Sequence, residues 1–280
     1  MQILINVRIF RNNMDANLKE QKLREFAKSV LEYPEYTEEI EYLLSKLKLS
    51  KEEVIRAYVN YDLDIFAYEN EIYESLAMRM VLYLHYLLKG SWHQDRQDSI
   101  LRMIEKIKPE SIIDMGFGAP TKYIRYYVLK NKVKTTLADL YGSAFEFSKV
   151  LFDYLNPSWN EFILFKQIDM NKHEYPGDFD CYIFQDSIEH VNDSTKYLNK
   201  LVKESPSDSR FIFSLPIGPM MSVHTINWDT EEEEAIKWLK DSGLKILDSD
   251  KVFINPDVDL FAEQIKEELY NLIVICKKQY

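Results

Sequence analysis

The stretch DSIEHV, residues 186–191, sets two carboxylates and an imidazole close together along the chain. If the backbone turns helical there, Asp186, Glu189 and His190 fall at i, i+3 and i+4 and share one helix face. Two carboxylates and an imidazole suit a divalent cation that prefers oxygen, such as Mg²⁺ or Mn²⁺. His224, in HTINWDTEEE, is a fourth candidate ligand. Either histidine could instead serve as the base that draws the proton from a hydroxyl nucleophile. A metal-free role, with His190 packing or orienting a substrate, stays open.

A second group of residues surrounds IIDMGFGAP. The chain has only seven glycines, yet Gly116 and Gly118 stand together, directly after an apolar run that ends in Asp114. With SIIDM as a strand and TKYIRYYVLK as a helix, the intervening MGFGAP is the turn. There one glycine permits a tight bend, and the other allows a ligand close to the main chain. Pro120 is expected at the first helical position, where its fixed φ suits the helix. A sharp turn that binds nothing would use the same G-x-G. Asp139 and Leu140 follow about twenty residues on, where an acidic side chain can reach ribose hydroxyls. Asp169 and Met170 come after the run FILFKQI, and Gln185 closes CYIFQ.

The elements that must hold these residues alternate. Short apolar runs at 111–115, 134–139, 162–168, 181–185, 210–215, 251–255 and 271–276 read as strands. Helical patterns lie at about 121–130, 143–155, 194–204 and 231–241. This α/β alternation predicts a mainly parallel sheet covered on both faces, with ligands at the carboxyl ends of its strands. Residues 16–88 read as helical, with SKEE at 50–53 a capping box, and a strand is expected at 2–9. A boundary at Lys89, Gly90 and Ser91 divides an accessory region, 1–90, from the main domain, 91–280.

In this order, IIDMGFG, LADL, QIDM and FDCYIFQDSIEHV resemble the class I S-adenosylmethionine-dependent methyltransferase family over roughly residues 95 to 280. The resemblance implies a seven-stranded, mostly parallel, doubly wound sheet whose last strand is antiparallel. It also implies that Asp114, Met115, Gly116 and Gly118 surround the methionine of S-adenosylmethionine. Asp139 with Leu140 would hold the ribose, Asp169 with Met170 the adenine, and Gln185 the loop beneath the sulfonium. Ala119 and Pro120 stand where the family often has a third glycine. The set Asp186, Glu189, His190 and His224 is similar, more loosely, to metal-dependent O-methyltransferases of the small-RNA 2′-O and quinone-ring types. It departs from the RNA enzymes in having Asp186 for glutamate and a shorter gap to His224.

The expected activity is therefore methyl transfer to a hydroxyl of a small molecule, a sugar, phenol or natural-product intermediate. The alternatives are an RNA-end 2′-O-methyltransferase, a small-molecule N-methyltransferase and a non-catalytic cofactor-binding partner subunit. The net charge of -11 disfavours nucleic acid, which calls for a positive footprint. No apolar run is long enough to span a bilayer. Cys181 and Cys276 lie in apolar runs and read as reduced, buried thiols, so a cytoplasmic location is expected. The N-terminal helices are expected to cap the site or to form a homodimer contact.

Overall fold

The structure, a computed structural model, describes residues 16–63, 74–87, 92–218, 224–226, 228, 232–253 and 270–279. The strand expected at 2–9 and the boundary at Lys89, Gly90 and Ser91 lie outside the described residues.

Among the described residues, four N-terminal helices come first: α1 (Ala16–Leu31), α2 (Thr37–Leu47), α3 (Lys51–Leu63) and α4 (Leu76–Leu87). The capping box forms at the start of α3, where Ser50 N donates to Glu53 Oε2 at 2.7 Å and Glu53 N donates to Ser50 Oγ at 3.2 Å. Next come α5 (Trp92–Ile107), β1 (Ser111–Met115), α6 (122–131), β2 (Lys134–Asp139), α7 (Gly142–Leu155), β3 (Ile163–Gln167) and β4 (Cys181–Gln185). The chain continues through α8 (Ser194–Glu204), β5 (Arg210–Ile217), α9 (Glu232–Asp241), β6 (Leu244–Phe253) and β7 (Tyr270–Lys278).

The seven strands form one sheet in the order β3-β2-β1-β4-β5-β7-β6. The first five are parallel, while β7 runs antiparallel to both β5 and β6. Every residue of β4 is buried, as an unbroken apolar run covered on both faces must be. The edge strands β3 and β6 alternate towards solvent.

One side of the sheet carries Tyr197, Leu198 and Leu201 of α8 together with Leu239 of α9. On the other, the N-terminal helices and α5 to α7 share a single apolar cluster, in which Leu43, Met80 and Val81 join Ile112, Tyr123 and Phe147. A buried polar knot fastens the two parts: Glu39 of α2 accepts two hydrogen bonds from Arg125 of α6, at 3.0 and 2.7 Å, and one from the Tyr83 hydroxyl of α4.

Three local expectations differ from the structure. The strand expected at 251–255 begins earlier, since β6 spans Leu244–Phe253. Pro120 is not the first helical residue, because the helix begins at Lys122 and then widens to a π turn over Ile124–Val128. No helix follows β4 directly. Asp186 adopts a left-handed backbone, φ 47°, and a short 3-10 turn, Ile188–His190, precedes α8.

Candidate functional site

The sequence-predicted residues lie at or past the carboxyl ends of β1, β2, β3 and β4, with His224 after β5. Strand pairing dictates this, since Met115 lies beside Ala138 and Asp114 beside Ile183. Gly116 and Gly118 have φ +73° and +65°, a conformation that costs other L-residues about 1–2 kcal/mol. Gly116 also has no room to spare, as a Cβ there would stand 2.8 Å from Ser187 Cβ and 3.6 Å from Met170 Cε. Ser187 Oγ donates to the Met115 carbonyl at 2.7 Å, holding the β4 loop against this bend.

Asp114 is fully buried. Its Oδ2 accepts from Tyr123 Oη at 2.8 Å and from Gln185 Nε2 at 2.7 Å, and Gln185 Oε1 accepts in turn from Gln97 Nε2 at 2.9 Å. Oδ1 of Asp114 has no hydrogen-bond partner among the described residues. Burial pushes the carboxyl up to about 7, against the lowering effect of its two donors. Between about pH 4 and 7 the folded chain thus keeps a proton that the unfolded chain has lost, so this group's contribution to stability falls as pH rises and levels off above 7. Asp114→Asn removes that slope. Relative to its parent, the variant is expected to gain on the order of 4 kcal/mol between pH 4 and 7. Denaturant unfolding at the two pH values measures the difference, and parallel stability curves would contradict the assignment.

Asp139 closes β2 and is almost entirely buried. Its Oδ2 accepts from Gly118 N at 3.0 Å, and its Oδ1 from Tyr141 N at 2.9 Å and from Arg79 Nη2 at 3.4 Å. Leu140, beside it, is exposed and accepts from Gln167 Nε2 through its carbonyl. Asp169 caps the turn Met170–Lys172 by accepting from Asn171 N at 3.0 Å. Gln185 closes β4, as its run implied, and its side chain belongs to the Asp114 network.

The expected four-residue metal set does not assemble as a helix face. Asp186 is drawn away by Arg96, with which it forms an ion pair, and its Oδ1 accepts from Ser214 Oγ and Asn271 Nδ2, both at 2.6 Å. Its left-handed backbone breaks the i, i+3, i+4 relationship that would have aligned it with Glu189. The other three do converge: Glu189, His190 and His224 each offer a ligand atom, all within 4.8 Å of one another. The two imidazoles meet edge to face, centroids 4.9 Å apart. Thr225 anchors the His224 segment, donating from N to the Glu189 carbonyl at 2.7 Å. Glu189 is fully buried, and neither carboxylate oxygen has a hydrogen-bond partner among the described residues. Burial lifts it to about 8. Burial and the neighbouring His190 hold His224 down to about 3, so its imidazole is neutral and available as a ligand.

Arg79, Arg96, Gln97 and Tyr123 are the site residues that sequence reasoning missed. Arg79 alone left a signal: it is the one Lys or Arg in LAMRMVLYLHYL, and a cation inside so apolar a helix calls for a buried acceptor.

No protein-family model and no curated protein matches the chain. Solved structures do. The [4+2]-cyclase SpnF is similar over 68% of this chain and 83% of its own, with 12% identity and a TM-score of 0.52. PigF, solved with SAH, is similar over 81% of this chain and 68% of its own, with 13% identity and a TM-score of 0.51. The methyltransferase domain of bacterial CtHen1-C is similar over 68% of this chain and all of its own, with 16% identity and a TM-score of 0.49. With the strand order and the antiparallel β7, the likeness to SpnF and PigF defines the fold: it is that of the class I S-adenosylmethionine-dependent methyltransferases. A fold that also serves a cyclase leaves the reaction to be argued from the site.

Proposed function

We propose that this chain is an S-adenosylmethionine-dependent methyltransferase that acts on a hydroxyl of a small molecule, with a divalent cation held by Glu189, His190 and His224. The observation that carries the reading is Glu189, a fully buried carboxyl group neither of whose oxygens has a hydrogen-bond partner among the described residues, beside two imidazoles. Burying such a group is costly unless a cation or a proton satisfies it. One carboxylate with two imidazoles is a more nitrogen-rich set than the two-carboxylate arrangement first expected, and it favours Mn²⁺ over Mg²⁺.

S-adenosylmethionine, when bound, supplies an electrophilic methyl group, and a cation at the triad lowers the pKa of an acceptor hydroxyl. The chain's own residues do the positioning. Gly118 presents bare main chain at the ends of β1 and β2, Asp139 keeps acceptor capacity for a ribose hydroxyl, and Asp114 Oδ1, which has no hydrogen-bond partner among the described residues, can accept from a donor. Leu140 borders the ribose beside Asp139, and Asp169 and Met170 border the adenine side. The N-terminal helices spend their apolar faces on the shared core, which favours a cap that shapes acceptor choice over a dimer contact. The negative charge favours a small acceptor over a nucleic acid.

Transfer of label from S-adenosylmethionine to a panel of phenols, sugars and amines, with and without a chelator, tests this reading. Hydroxyl methylation that is lost on chelation and restored by Mn²⁺ is expected. Chelator-indifferent transfer to amines would overturn it.

A further inference from the structure

Arg79 reaches from α4 into the place where the cofactor reading puts the ribose. Only 2% exposed, it donates from Nη1 to the Gly118 carbonyl at 2.9 Å, from Nε to Ser143 Oγ at 3.2 Å and from Nη2 to Asp139 Oδ1 at 3.4 Å. Its guanidinium also lies over the Tyr141 ring, 5.8 Å from the centroid. Leu82, one turn further along α4, approaches Gly118 as well, 3.5 Å from where a Cβ would be.

The acceptor count at Asp139 is nearly full. A carboxylate offers about four lone-pair sites. Gly118 N, Tyr141 N and Arg79 fill three of them, whereas a ribose diol brings two donors. Of the three present donors, the two amides are fixed in the backbone of the turn and of the α7 entry. Among the described donors to Asp139, Arg79 is the only side chain and makes the longest contact.

We infer that Arg79 is a latch on the cofactor site: it competes with a ribose diol for Asp139, and α4 shifts when a nucleoside cofactor takes its place there. The inference rests on the cofactor-binding reading above and adds a regulated entry step to it. Binding is weakened by the fraction of molecules in which the latch is closed, and any event that loosens α4 raises cofactor affinity.

Calorimetric titration of S-adenosylhomocysteine into the parent, Arg79→Ala and Ser143→Ala tests it, together with amide hydrogen exchange of α4 in the parent with and without the ligand. Arg79→Ala is expected to bind about tenfold tighter, Ser143→Ala more tightly by a smaller factor, and α4 in the parent to lose protection on saturation. If Arg79→Ala does not fold, Ser143→Ala and the exchange measurement decide. Weaker binding by either variant, or added protection of α4, would make Arg79 part of the cofactor seat and overturn the latch. Heat in none of the three proteins would instead sink the cofactor reading itself.

Discussion

Gly116→Ala is expected to cost the fold about 2–5 kcal/mol, the sum of left-handed strain and of a new contact too close for its neighbours. The contact is with Ser187 Cβ at 2.8 Å, and Ser187 is itself tied to the Met115 carbonyl, so it cannot simply rotate out of the way. If the loop yields instead, the same energy appears as lost cofactor affinity, a hundredfold or more on the order of 3 kcal/mol. Gly118→Ala makes the informative contrast. Its neighbours stand at 3.5 and 3.7 Å, ordinary contact distances, which leaves strain alone at about 1–2 kcal/mol. Thermal and denaturant unfolding of the two variants, with titration of S-adenosylhomocysteine, measure both effects. Equal tolerance at the two positions would show that the Ser187 contact does not restrict the turn.

Glu189→Gln is expected to abolish cation binding and to lower hydroxyl methylation by about 10²–10⁴-fold, the range for loss of proton removal from a nucleophile. Its effect on the metal-free fold should run the other way. Neither oxygen of Glu189 has a hydrogen-bond partner among the described residues, so a neutral amide gives up no described hydrogen bond and removes the cost of a buried carboxylate. Unchanged or raised stability with lost Mn²⁺ binding is the signature of a residue kept for function. His224→Ala should match it in activity and leave S-adenosylhomocysteine affinity unchanged. Isothermal titration with Mn²⁺ and unfolding in the presence of chelator measure these effects, and retained metal binding in both variants would dismiss the triad.

The sheet was legible because each of its interior strands is a short apolar run and each parallel crossover needs a helix-length segment. The polar residues that end β1 and β2 could be placed for the same reason: register follows once the runs are assigned. The capping box at Ser50 and Glu53 was equally visible, being a local pattern with local partners. What escaped is non-local. The helix expected after β4 fails because Asp186 turns left-handed to meet Arg96, Ser214 and Asn271, partners from three distant elements that no spacing rule connects. Gln185 was legible as the end of a strand, but the bridge its amide makes between Asp114 and Gln97 was not. The union of the N-terminal helices with the sheet's core likewise depends on Glu39 meeting Arg125 and Tyr83, three residues far apart in the chain.

The bend between β1 and α6 turns on two left-handed glycines and is bordered by Asp114 and Asp139, and the functional reading stands or falls with what binds there. Titration of S-adenosylhomocysteine into the intact chain is the most direct measurement: one molecule bound per chain, with affinity lost in Gly116→Ala, is expected. Absence of heat with both S-adenosylmethionine and its demethylated product, in a protein shown to be folded, would contradict it.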